Sequence, residues 1–239
     1  MKKKLLSICI CMLSIFILAS CTNQQEKDNN EIQETTNTES EINDNCQNQS
    51  GLFDPDIALY KPVIYLYPEK ETDVSVNLTL NGKLTCTYPK YNNGWTVTAK
   101  PDGTLTDKNG MNYNYLYWEG ETDTRFDFST GYCVKGSESA KFLEKELAKQ
   151  GLNRKEANEF ITFWLPQMEQ NEYNIISFQK ETYTDVAKLN VNPNPNTIIR
   201  VFMAFKPSNE YVKIPAPKET ETHQRNGFTL VEWGGSILN

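Results

Sequence analysis

Four carboxylates, Glu119, Glu121, Asp123 and Asp127, fall within nine residues directly after an aromatic run that ends at Trp118. Two carboxyl groups can divide the acid and base roles of a glycosidase, with Glu119 as one and Asp123 or Asp127 as the other, and clustered loop oxygens can hold Ca²⁺. The glycine at position 120 does not sit where an EF-hand loop needs it, and acidic loops on acidic proteins are ordinarily just solvated. The aromatics are the second candidate. Residues 88–132 carry ten of them in 45 positions, about twice the 11% of the whole chain. Aromatic faces stack on the C–H faces of sugars, and tyrosine adds a hydroxyl donor. Trp118 with Tyr113, Tyr115 and Tyr117 is therefore a candidate glycan or peptide surface. The same alternation also suits the buried face of a strand.

Other catalytic patterns are missing from the sequence. It has no H-E-x-x-H, G-x-S-x-G, P-loop or G-x-G-x-x-G, and its single histidine, His223, lies in a polar stretch. Cys133 with His223 would be a minimal thiol nucleophile and base, but two residues so far apart form no signature. Ser177 and Lys180 satisfy S-x-x-K by spacing alone, without the K-T-G companion. Nothing in the sequence calls for a cofactor.

The N-terminus is more specific. Lys2, Lys3 and Lys4 precede an apolar stretch from Leu5 to Leu18, too short to span a bilayer as a helix. It reads as an export signal over residues 1–20. The stretch ends in Leu18-Ala19-Ser20-Cys21, which resembles the lipobox of bacterial lipoproteins. The resemblance implies cleavage before Cys21, a diacylglyceryl thioether on its sulfur, and attachment to the extracytoplasmic face of the cell membrane. Residues 22–50 follow with seven acidic side chains, one lysine and little that is apolar beyond Ile32 and Ile42. Such a segment cannot bury enough surface to offset its ordering entropy, so residues 21–50 are expected to form a disordered tether.

Six cysteines divide along the same lines. Cys9 and Cys11 leave with the signal, Cys21 takes lipid, and Cys46, Cys86 and Cys133 remain. An oxidising exterior permits a Cys86–Cys133 disulfide, and the alternative is that both are small buried apolar side chains. The formal charge is −7, with −6 in the tether and −4 in residues 51–239 once the signal lysines are set aside. That balance argues against nucleic acid as a partner, because phosphate recognition needs a basic patch.

The elements that must position any site lie in residues 51–239. Pro62–Pro68 reads as a strand bounded by prolines. Val74, Val76, Leu78 and Leu80 alternate up to Asn81-Gly82, and Leu84, Cys86 and Tyr88 resume the period, which predicts a hairpin opposing Leu80 with Leu84 and Leu78 with Cys86. Strands are also predicted around Trp95–Ala99, Tyr113–Tyr117, Tyr173–Gln179, Thr182–Asn190, Ile198–Phe205, Tyr211–Ile214 and Phe228–Trp233. Between the β-rich halves, about residues 138–170, the period becomes helical. Ala140, Leu143 and Leu147 share one face, Gly151 caps that helix, and Asn153 with Glu156 opens a second. The second helix carries the stripe Ala157, Phe160, Ile161, Trp164, Leu165 and Met168, which Pro166 should kink or end. The expected fold is α+β, with mainly antiparallel, sandwich-like sheets and a two-helix insertion.

Four segments carry a resemblance across nearly the whole exported part: Lys61-Pro-Val-Ile-Tyr-Leu-Tyr-Pro68, Glu159-Phe-Ile-Thr-Phe-Trp-Leu-Pro166, Val201-Phe-Met-Ala-Phe-Lys-Pro207 and Phe228-Thr-Leu-Val-Glu-Trp-Gly-Gly235. They resemble an uncharacterised group of secreted bacterial proteins. The resemblance implies that the β halves and the helical insertion form one unit, and it supplies no catalytic residues. These readings together describe a lipid-anchored binding or interaction module of the cell envelope, with a glycan or a protein as its partner. The rivals are a glycan-active hydrolase built on Glu119 and an envelope-assembly protein.

Overall fold

A computed structural model describes residues 57–218 and 224–238. The signal segment, Cys21, the tether, Cys46 and His223 lie outside the described residues. Ser50–Asn239 forms one compact unit. Among the described residues no helix is long and apolar enough to cross a membrane.

The chain runs β1 (Ile57–Tyr67), β2 (Thr72–Leu80), β3 (Lys83–Tyr88), β4 (Trp95–Ala99), β5 (Leu105–Thr106), β6 (Asn112–Tyr113), β7 (Leu116–Thr122) and β8 (Tyr132–Lys135). Two helices follow, α1 (Ser139–Lys149) and α2 (Arg154–Met168), then β9 (Tyr173–Phe178), α3 (Glu181–Val186), β10 (Ala187–Asn192), β11 (Thr197–Ser208) and β12 (Thr229–Ile237). A seven-stranded sheet has the order β3-β7-β1-β12-β11-β9-β8, and a five-stranded sheet the order β10-β2-β4-β5-β6. Every pairing is antiparallel except β11 with β12, which run parallel from Thr197 beside Thr229 to Phe205 beside Ile237. Among the described residues the fold is thus β-rich, with two sheets and three α-helices.

Each strand's alternation decides where its side chains go. Val74, Val76 and Leu78 of β2, Trp95 and Val97 of β4, Ile64 and Leu66 of β1, and Phe202 and Leu230 join one apolar cluster common to both sheets. The alternate residues Val63 and Tyr65, with Val201, Met203, Val231 and Trp233, meet Leu143, Leu147, Phe160, Trp164 and Met168 in a second cluster. The helical stripe therefore docks on the seven-stranded sheet, as its spacing requires.

Local signals hold at the helix ends. Gly151, at φ 91°, follows the last turn of α1, with its N–H on Ala148 O at 3.2 Å and the Leu152 N–H on Leu147 O at 3.1 Å, a left-handed cap that closes two open carbonyls. Asn153 and Glu156 form the reciprocal capping box of α2. Pro166 lies within α2, which continues to Met168.

The predicted β2–β3 hairpin does not form. β2 pairs with β10 and β4, while β3 pairs with β7 in the other sheet, so Asn81-Gly82 carries the chain from one sheet to the other. The crossing is tied at Asn81, whose N–H donates to Val186 O at 2.7 Å and whose carbonyl accepts from the Thr122 hydroxyl at 2.9 Å. Gly82 sits at φ 152°, where an added Cβ would stand 2.0 Å from the Glu121 carbonyl oxygen. Gly82→Ala should therefore cost about 1–3 kcal/mol through backbone strain and displacement of β7. An unchanged urea midpoint would contradict this.

Two other strand expectations are corrected. Residues Glu181–Val186 are helical, burying Tyr183 and Val186 three apart on one face, and the strand begins only at Ala187. Tyr211–Ile214 belongs to neither sheet. It lies along β8, with the Val212 N–H on Cys133 Sγ at 3.3 Å and Pro215 O accepting from the Gly131 N–H at 2.9 Å.

Candidate functional site

A central strand of the larger sheet carries an irregular backbone. Pairing of β1 with β7 jumps from Leu59 beside Gly120 to Val63 beside Tyr117, and pairing with β12 jumps from Tyr60 beside Gly235 to Val63 beside Trp233. One residue is extra on both sides, and the bulge is centred on Lys61 at φ 59°. Pro62 has no N–H for the ladder and disfavours the right-handed helical region for the residue before it. Gly234 of β12 gives the bulge room, since a Cβ there would sit 3.0 Å from Pro62. A lysine in the left-handed region is held only when its surroundings fix it. Here the Lys61 N–H donates to Glu119 Oε1 at 3.2 Å in place of a ladder partner.

The bulge places the Lys61 side chain among aromatic rings. Its Nζ donates to the Tyr115 hydroxyl at 3.2 Å and lies 5.1 Å, 5.4 Å and 5.8 Å from the ring centres of Tyr115, Tyr117 and Phe163. Each contact is a cation–π interaction of modest strength. No carboxylate among the described residues pairs with this ammonium. Lys61, Asn114, Tyr115, Glu159, Thr162 and Phe163 line an open groove of about 450 Å³ between the bulge and α2. The α2 residues arrive there because Phe160 and Trp164 dock on the sheet, which leaves Glu159 and Phe163 half-buried at the margin of the same helix.

Behind the groove a polar chain runs out of the core. Trp233 Nε1–H donates to the Tyr65 hydroxyl at 3.2 Å, and that hydroxyl donates to Glu159 Oε2 at 2.7 Å. Burial, then the bond to Glu159, holds the Tyr65 phenol far above the usual range. Burial and the neighbouring Glu119 do the same for Tyr117, and burial and Glu156 for Tyr67. Tyr132 is pushed up to about 12 by burial and then by Glu146. Unfolded tyrosines ionise near pH 10, so these native rings keep protons that the unfolded chain gives up. Their contribution to stability is whole below about pH 10 and is lost as pH rises from there through the raised native values. Alkaline titration should show phenolate absorbance from these four rings only together with loss of near-ultraviolet circular dichroism. Phenolate from all four in a fully folded protein near pH 10 would contradict it.

The residues singled out by sequence are scattered. Trp118 is wholly buried in the cluster shared by the sheets, with its Nε1–H on Glu232 Oε1 at 3.1 Å, so its expected role on a ligand surface is corrected. Leu116 and Trp118 face that cluster, and β7 therefore turns Tyr117 and Glu119 the other way. Tyr115 lines the groove and Tyr117 packs beneath Lys61. Tyr113 belongs to the five-stranded sheet. Its hydroxyl donates to Asp107 at 3.1 Å and its ring meets Tyr88 at 5.4 Å, beside a separate pocket of about 400 Å³ that reaches Lys90 and Asn109. The expected single face of Tyr113, Tyr115 and Tyr117 thus spans two sheets.

The carboxylates do not converge either. Glu119 is occupied at the bulge, Asp123 is exposed, and Asp127 accepts from the Ser129 N–H and hydroxyl at 2.8 Å and 2.7 Å, which lowers its carboxyl. None of the three lines the groove. Among the described residues no group of three or more His, Cys, Asp or Glu side chains could hold a metal ion. Cys86 on β3 and Cys133 on β8 are both free. They occupy opposite edge strands of the larger sheet, six strand spacings and about 29 Å apart, far beyond disulfide reach. Ser177 is buried while Lys180 is exposed, so that spacing assembles no pair.

Lys61, Asn114, Glu159, Thr162 and Phe163 had no catalytic or ligand pattern to mark them. The available signal was a lysine before proline at the head of a strongly apolar strand.

A protein of Butyrivibrio fibrisolvens, described as an uncharacterized protein in the bglA 3′ region, is 48% identical to this chain over 64 residues. The match covers 26% of this chain and 66% of that protein. No family model matches the chain, and no solved structure matches it.

Proposed function

We propose that this chain is a lipid-anchored protein of the extracytoplasmic cell membrane whose β-rich part binds an envelope glycan in the groove beside Lys61. The observation that carries this reading is the bulge itself. A central strand gives up regular pairing on both sides, at a lysine in the left-handed region, and the result is an ammonium set among three rings at an open groove. Such a lining suits a sugar: the rings of Tyr115 and Phe163 stack on C–H faces, while Asn114, Thr162, Glu159 and Lys61 supply donors and acceptors for hydroxyls. The apolar cluster common to both sheets supports reading them as packed face to face in a sandwich-like arrangement. Anchoring rests on the lipobox at Cys21. It is tested by labelling cells with a clickable fatty acid, where Cys21→Ser should abolish labelling.

Binding is tested by thermal unfolding against a panel of cell-wall glycans, peptides and Ca²⁺. A ligand at 100 times its dissociation constant adds about 2.7 kcal/mol, or roughly 5–10 °C for a domain of this size. A glycan should produce such a shift in the parent chain and not in Phe163→Ala. A shift with peptides alone, or with nothing in the panel, would overturn the glycan reading.

A further inference from the structure

The core common to the two sheets is open at one edge. β10 is the outer strand of the five-stranded sheet, and beside it lies a cleft of about 430 Å³ lined by Leu189, Val191, Ile198, Leu230, Asn194 and Arg200, among others. Val191 and Leu230 belong to the shared apolar cluster and Leu189 packs against it, so the cleft reaches the core. Ile198 at its side remains 52% exposed. Arg200 is the charged residue of the lining among the described residues, and its side chain is only 10% exposed. Its Nε–H donates to Glu232 Oε2 at 2.6 Å from below, and the Tyr183 ring of α3 lies 4.6 Å from its guanidinium carbon. Glu232 is shared, since its other oxygen accepts from Trp118. Nε donates to Glu232, Nη2 is enclosed near the equally enclosed Tyr183 hydroxyl, and Nη1 is neither enclosed nor bonded within the described residues. A guanidinium carries five N–H donors, and buried donors without acceptors are costly. The fold therefore holds a fixed guanidinium with unused donors on the wall of an apolar cleft.

We infer that this cleft binds a small amphipathic carboxylate. Its apolar body lies against Leu189, Val191, Ile198 and Leu230, and its carboxylate accepts from Nη1, the guanidinium nitrogen that is neither bonded to Glu232 nor enclosed. The Asn190 and Asn194 amides add donors to the lining. Because Glu232 neutralises Arg200, the site offers directed donors rather than a net positive field. A guanidinium N–H bonds a charged carboxylate oxygen more strongly than the neutral oxygen of an alcohol.

The test uses octanoate, with octanol and octylamine as controls, added to residues 50–239, the compact unit that contains both apolar clusters. The Arg200 Nε–H and Ile198 methyl resonances are followed by nuclear magnetic resonance. Octanoate should give a saturable shift at both, with octanol at least about tenfold weaker and octylamine silent. Leu189→Trp, which fills the cleft, should abolish binding while the protein stays folded. Arg200→Met combined with Glu232→Gln, which removes both charges, should stay folded and bind octanoate no better than octanol. Phe163→Ala, in the separate groove, should leave the shifts unchanged. No saturable shift with millimolar octanoate, a shift that survives Leu189→Trp, or equal binding of octanol would overturn the inference.

Discussion

Trp118→Ala is expected to bring the folded part close to unfolding at room temperature. The indole is fully enclosed in the first apolar cluster, and large aromatic truncations in cores cost about 3–5 kcal/mol. The same change takes a donor from Glu232, itself fully buried, which adds about 1–3 kcal/mol. Domains of this size hold about 5–15 kcal/mol in total, so little is left. Trp118→Phe brackets the two contributions, because it keeps an aromatic ring in the core while losing the N–H and the smaller part of the indole volume. The measurement is urea denaturation of all three proteins. A Trp118→Ala protein with an unchanged midpoint would contradict the packing described. Loss of ligand binding in that variant would report unfolding, whereas Tyr115 and Phe163, half-buried at the groove, are the positions where binding can be changed with the fold intact.

Arg200→Met alone should be nearly as damaging. It leaves the Glu232 carboxylate enclosed without its cationic partner, and removing one partner of a buried ion pair costs about 3–5 kcal/mol. The double variant Arg200→Met with Glu232→Gln should recover most of that loss. The glutamine oxygen still accepts from Trp118, and neutral, well-packed replacements of buried pairs are often close to neutral in stability. The urea midpoints of the two proteins decide it. A stable single variant, or a double variant no better than the single, would contradict the account.

What the sequence made legible was local. The capping box at Asn153 and Glu156 and the left-handed cap at Gly151 depend on a few neighbouring residues, and both are where their chemistry places them. The stripe through Phe160 and Trp164 depends on a period of one helix. Partner choice is not local, and there the reading failed. Asn81-Gly82 has turn chemistry, but nothing in it says whether Leu84 returns beside Leu80 or joins the strand at Gly120, as it does. The Cys86–Cys133 bridge failed for the same reason, since strand order alone sets their separation. Trp118 was misplaced because alternation assigns residues to two faces without saying which one is wet. The Lys61 groove was hidden more deeply. It needs the bulge, the space left by Gly234, and the arrival of Glu159 and Phe163 from a helix about a hundred residues away in sequence.

The most direct test of the central claim is chemical-shift mapping on residues 50–239 with purified cell-wall glycan fragments. The largest changes should fall at Lys61, Asn114 and Tyr115 and along Glu159–Phe163, and they should vanish in Phe163→Ala. Saturable changes centred elsewhere, at the Tyr113 pocket or along β10, or no change with any glycan, would contradict the assignment of the Lys61 groove as the glycan site.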